Sequence, residues 1–106
     1  MATFKFDRDL TELSYKLIVA NIEDVMVAHI HFGPAGENGP AGVFLFANGP
    51  VTVNGVLAEG TITADDLIGG VWADLAELES DMRAGLTYVN VHTLENPPGE
   101  IRGQIR

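Results

Sequence analysis

The sequence contains no cysteine, which removes disulfides, thiolate zinc sites and thiol catalysis together and leaves the redox compartment unreadable. Basic residues are scarce: six Lys and Arg stand against fifteen Asp and Glu, a formal net charge of −9. A field of that sign repels phosphate backbones and anionic lipid, so neither nucleic acid nor a membrane surface is an expected partner. It attracts cations and basic proteins. No apolar run approaches the roughly 18 residues of a membrane-spanning helix, so no membrane insertion is expected. The opening MATFKFDRDL lacks the basic and apolar regions of a secretory signal. Only Ser14 and Ser80 carry a serine hydroxyl, both far from any glycine elbow, which argues against a Ser–His–Asp arrangement.

What is present suits one folded domain spanning residues 1–106, with 46% hydrophobic and 20% charged residues. Phe4 and Phe6 alternate with Thr3 and Lys5, and Leu13, Tyr15, Leu17 and Val19 share one parity, which predicts a hairpin of two strands over 2–7 and 13–22. Further strands are expected at 25–32, 42–46, 86–93 and 100–106, and two pieces within 51–63 around Asn54-Gly55, a dipeptide favoured in tight hairpin turns. Thr63 followed by Ala-Asp-Asp reads as a helix start. Trp72, Leu75, Leu78 and Met82 recur at helical spacing up to Arg83, and Gly85 supplies a stop, so a helix is expected over about 72–84. The expected fold is mostly β, a small antiparallel β-sandwich or barrel of about seven strands with one or two short helices. The acidic residues Asp74, Glu77, Glu79 and Asp81 read as a solvated helix face.

All three histidines fall in two segments, AHIHFGPAGENGPAG from residue 28 and YVNVHTLENPPGEIRGQ from residue 88. On a strand, alternate side chains share a face, so His29 and His31 point together while Ala28, Ile30 and Phe32 point towards a core. Tyr88, Asn90 and His92 likewise share a face, opposite Val89 and Val91. A His-x-His pair separates its Cβ atoms by about 6.5–7 Å, a span that two ligands of one ion can bridge. If the two strands are neighbours, His92 completes a three-nitrogen set suited to copper or zinc. Tyr88, Asn90, Glu95 and Glu100 are the candidates for an additional ligand or for orienting an imidazole N–H. The competing reading is a polar network that shapes the loops. Ligation requires neutral imidazoles, so binding should weaken as pH falls through about 6.5. The loop 33–42 carries Glu37 and Asn38 at its tip, but too few carboxylates for calcium and no phosphate-binding spacing, so it reads as a structural turn. In the tail, Glu100 and Arg102 share a face, open to pairing with each other or with groups on a neighbouring strand, and the favoured reading is an edge or closing strand.

These same segments carry a resemblance. AHIHFGPAGENGPAGVFLF, then a helix ending in RAG, then LTYVNVHTLENPPGEIRGQI, resembles the CHRD domain, named for chordin. The resemblance implies a β-sandwich-like domain, usually exported, hence secreted or periplasmic. The lack of a signal in this chain leaves an intracellular location open. Family members usually begin with one further strand of the type LSGxQEVPP, which this chain lacks, so a bare sheet edge or a strand supplied by another copy is expected. The HIH strand is also similar to the copper-binding strand of Cu/Zn superoxide dismutases. That family uses four histidines around copper and a separate zinc site, so with three histidines the likeness is architectural, and an immunoglobulin-like sandwich fits the pattern equally.

Three functions follow in order of support. The first is a domain that binds or handles copper or zinc through His29, His31 and His92. The second is an extracellular structural or protein-interaction module without a physiological metal, whose partner is another protein or a second copy. The third and least supported is a copper redox enzyme.

Overall fold

The computed structural model describes residues 1–34, 36–47, 49–96 and 101–105. Six strands form one antiparallel sheet: β1 (Ala2–Phe6), β2 (Leu13–Phe32), β3 (Ala41–Phe46), β4 (Val51–Ile62), β5 (Thr87–Thr93) and β6 (Ile101–Gln104). The sheet curls into a half-barrel, with one helix, α1 (Leu75–Arg83), packed on its concave side. The mostly β class is as expected, with six strands among the described residues in place of about seven.

The difference in strand number lies in β2 and β4, each of which joins two expected segments. Segments 13–22 and 25–32 are one continuous strand that pairs with β1, β3, β4 and β5. Its first half lies between β1 and β4, and its second half between β3 and β5. Between Val19 and Ile22, and again between Ile22 and Val25, β2 advances three residues against two of β4. Asn21 (φ 51°) and Asp24 (φ 53°) occupy these bulges in the left-handed region, which short polar side chains enter most readily. The bulge amides find side-chain acceptors on β4: Asn21 N–H donates to Asn54 Oδ1 at 3.3 Å and Asp24 N–H to Thr52 Oγ1 at 3.3 Å.

This arrangement also corrects the expected hairpin at Asn54-Gly55. β4 runs through both residues, because the long template of β2 satisfies its backbone on either side. Gly55 (φ +133°) faces Val19 beside the first bulge, where the backbone departs from regular strand geometry.

The helix begins later than its apolar spacing suggested. Asp74 caps it by accepting from Glu77 N–H at 2.9 Å, and Trp72 lies before the cap. Trp72 is instead laid over Gly42 of β3, and its indole N–H donates to Asp81 at 2.8 Å. The acidic face is therefore largely structural: Asp74 caps, Glu77 accepts from Ala73 N–H, Asp81 holds Trp72, and Glu79 pairs with Arg83. The expected start at Thr63 is a single 3-10 turn (Ala64–Asp66) closed by a reciprocal Thr63–Asp66 cap.

The core joins Leu13, Leu17, Val25, Ile30, Val43, Leu75, Leu78 and Val91, all buried. Among the described residues β1 pairs only with β2, and an apolar cleft of about 840 Å³ opens beside it, lined by Phe4, Phe6, Leu17, Met82 and Val89. No helix of the described residues is long and apolar enough to cross a membrane.

A Cβ at Gly42 would overlap the Trp72 ring. Gly42→Ala should therefore lower the unfolding free energy by about 1–3 kcal/mol, as overpacked cores do. Urea denaturation measures the loss, and the emission of the single tryptophan should shift to the red as the ring is displaced. A variant with unchanged midpoint and spectrum would show that the indole has other room to settle.

Candidate metal centre

The register places β2 and β5 side by side, the condition on which the three-histidine set depended. His29 lies opposite Asn90, His31 opposite Tyr88, and Val27 opposite His92. Ala28 and Ile30 go fully into the core, leaving His29 and His31 on the other face with Tyr88, Asn90 and His92. The imidazoles form a triangle, with ring centroids 5.4 Å apart for His29–His31, 5.0 Å for His29–His92 and 5.8 Å for His31–His92.

One ring nitrogen from each histidine lies within 4.8 Å of the other two. A metal with bonds of about 2.0–2.1 Å holds its ligand nitrogens roughly 3.3–4.2 Å apart, so small ring rotations bring these three into range. Two observations suit a cation here. His29 Nδ1 and His31 Nε2 are both buried and have no hydrogen-bond partner. His31 Nδ1, in contrast, lies 2.9 Å from the Gly39 carbonyl, the outer hydrogen bond that commonly orients a ligating imidazole.

The family model of the CHRD domain matches residues 1–105. The chain belongs to the CHRD family. No curated protein and no solved structure gives a significant match.

The other expected site residues of this CHRD domain occupy different positions. Tyr88 is buried and stacks on His31, with centroids 4.9 Å apart and planes 15° from parallel. Asn90 is buried in the polar face between the two histidine strands. Glu95 is exposed beyond the end of β5, and Glu100 lies outside the described residues. Among the described residues the ligand-capable cluster at this site holds histidines alone.

Two neighbours of the site were not foreseen in the sequence. Phe44 of β3 lies 4.4 Å from His29, with its ring 45% exposed. Arg102 of β6 lays its guanidinium 3.6 Å from the centre of the Tyr88 ring. It also donates to the Pro34 carbonyl at 2.9 Å and to Asn38 at 3.3 Å. The alternation of Phe44 between Val43 and Leu45, and of Arg102 between Ile101 and Gly103, was the available signal. It gives the face of each residue, but not which strand would lie next to it.

Burial pushes His29 down to about 4 from its ordinary 6.5, helped by the neighbouring imidazoles of His92 and His31. Burial also lowers His31; its bond to Gly39 opposes the shift, while His92 and Arg102 add to it. Both rings are therefore neutral at pH 7, with a lone pair available for a metal. The proton begins to compete at both rings below the 6.5 expected for free histidine, and at His29 only near 4.

The same shift predicts how the metal-free domain responds to acid. The unfolded chain takes up a proton at His29 near pH 6.5, whereas the folded chain resists uptake until about 4. The His29 contribution to stability is thus complete above 6.5 and is lost as pH falls towards 4. In chelator-treated protein, lowering the pH from 7.5 to 5 should cost wild type about 1 kcal/mol more than His29→Gln, after allowing for solvent screening at a partly exposed ring. Denaturant midpoints at the two pH values measure the difference. Equal losses in both proteins would show that the His29 ring titrates as in water.

Proposed function

We propose that this CHRD domain binds a transition metal, copper(II) first and zinc(II) second, through His29, His31 and His92, and serves in metal binding or handling in a secreted or periplasmic setting. The observation that supports this reading is the convergence of three imidazole nitrogens within 4.8 Å, with buried, unpartnered nitrogens on His29 and His31. An all-nitrogen set favours these borderline ions over calcium or magnesium, which prefer oxygen. The chain's part is to supply three neutral donors and to hold them on adjacent strands, where neither backbone can move without disturbing the core beneath. Three protein ligands leave a coordination position for water or for a group from a partner. The net charge of −9 raises the local cation concentration but supplies no selectivity.

A second reading is a protein-interaction module without a physiological metal. It is favoured by membership of the CHRD family and by the open apolar cleft beside β1. The copper enzyme has no support beyond the open coordination position.

Calorimetric titration of chelator-treated protein with Cu(II) and Zn(II) at pH 7.5 separates the two main readings. The metal reading expects one tight site, with affinity falling about 100-fold or more in His31→Ala and in His92→Ala. Nitrogen hyperfine splitting in the Cu(II) spectrum should report imidazole ligation, not surface carboxylates. Weak binding at several sites, unchanged in both variants, would leave the histidines as scaffold and give the interaction module the lead.

A further inference from the structure

The loop after β2 returns to the histidine face at Gly39, and both polar groups of that residue are held there. Its carbonyl lies 2.9 Å from His31 Nδ1, and its N–H donates to the Tyr88 hydroxyl at 2.9 Å. Its α-carbon is seated so closely on the end of β2 that a Cβ would overlap the Phe32 carbonyl oxygen. The next residue, Pro40, accepts from Phe32 N–H at 2.9 Å. Gly39 is thus fixed from three directions, which makes its carbonyl a rigid acceptor.

We propose that Gly39 and Tyr88 select the metal-binding nitrogen of His31 and, resting on the metal reading above, couple the order of this loop to occupancy of the metal centre. A carbonyl only accepts, so His31 Nδ1 carries the hydrogen and its lone pair resides on Nε2. That nitrogen is the buried one without a partner. Tyr88 is a positioning residue in two respects. Its hydroxyl fixes the acceptor, and its ring, stacked on His31, fixes the plane of the imidazole. Arg102 extends the column. β2 and β6 flank β5, so Tyr88 lies between His31 and the guanidinium, which also grips the loop at Pro34 and Asn38.

The coupling follows from linkage. A cation on Nε2 withdraws charge from the ring and strengthens the Nδ1–H bond to Gly39. If loop order favours metal, metal must favour loop order by the same factor. The loop carrying Glu37 and Asn38 is then a metal-responsive element of the surface.

Long-range proton–nitrogen NMR of chelator-treated protein at pH 7.5 reads the His31 tautomer without any metal. The expected result is hydrogen on Nδ1 in wild type and a mixture of tautomers in Tyr88→Phe, which keeps the stack and removes the hydroxyl. Hydrogen on Nε2 in wild type would overturn the proposal. With Zn(II) added, amide exchange at Gly39 should slow by about tenfold in wild type but not in His92→Ala. Zinc affinity should fall about tenfold in Tyr88→Phe, the lower range for groups that orient metal ligands. Full affinity in Tyr88→Phe, or zinc binding to wild type with no change in loop exchange, would also overturn the coupling. No zinc binding to wild type would overturn the metal reading and the coupling together, whereas the tautomer result would still decide whether Gly39 sets the His31 donor.

Discussion

β2 hydrogen-bonds to four of the other five strands, and everything placed on the sheet depends on how it keeps phase while doing so. Its buried positions are Leu13, Leu17 and Val19, then Ile22, then Val25, then Ala28 and Ile30. The inward parity therefore changes from odd to even, back to odd, and to even again. Each change coincides with a register shift against β4 or β5. A strand without these slips would carry His29 and His31 inward with Leu13 and Leu17, because a one-residue slip exchanges the two faces. The bulges at Asn21 and Asp24, whose amides Asn54 and Thr52 take up, cancel each other in parity, so the shift between Val25 and Val27 against β5 is the one that turns His29 and His31 to the outer face.

Once that face is formed, its neighbours follow from sheet order. β3 brings Phe44 to one side of His29, β5 brings Tyr88, Asn90 and His92 to the other, and β6 brings Arg102 against Tyr88. The curl of the sheet around α1 buries the opposite faces of the same strands, so small displacements of β2 or β5 would open the core. The site is consequently built on the most constrained part of the domain. The glycine-rich loop closes over it through hydrogen bonds to side chains that belong to the sheet.

The legible part of this arrangement was local. Alternation around Ala28–Phe32 and Tyr88–His92 gave the facing of all three histidines correctly, because β2 and β5 keep an unbroken register with each other there. The same reasoning failed where long-range pairing overrode local preference. Asn54-Gly55 has the chemistry of a turn, yet a partner strand long enough to run past it keeps the chain extended. Asn21 and Asp24 looked like the end of one strand before the start of another, since nothing local distinguishes a bulge from a break. Trp72 matched helical spacing by coincidence, and its partner, Gly42, lies thirty positions earlier in sequence. Arg102 and Gly39 were invisible as site residues for a similar reason. Gly39 acts through its backbone N–H and carbonyl, and Arg102 through a ring and a carbonyl that only the fold brings within its reach, so neither pairing leaves a residue-type signature.

The energetics of the polar face distinguish it from an ordinary solvated surface. A buried polar atom with no partner costs about 1–3 kcal/mol, and His29 Nδ1 and His31 Nε2 are two such atoms within one cluster. Charging the rings gives no relief, since burial and the mutual repulsion of the imidazoles lower the pKa of His29 to about 4. A single cation between the two rings would satisfy both nitrogens at once. At one hundred times its dissociation constant it would stabilise the folded state by about 2.7 kcal/mol, comparable to the cost of the orphaned nitrogens. The sheet face that is a liability in the metal-free domain is, on this reasoning, the part of the molecule with most to gain from ligation.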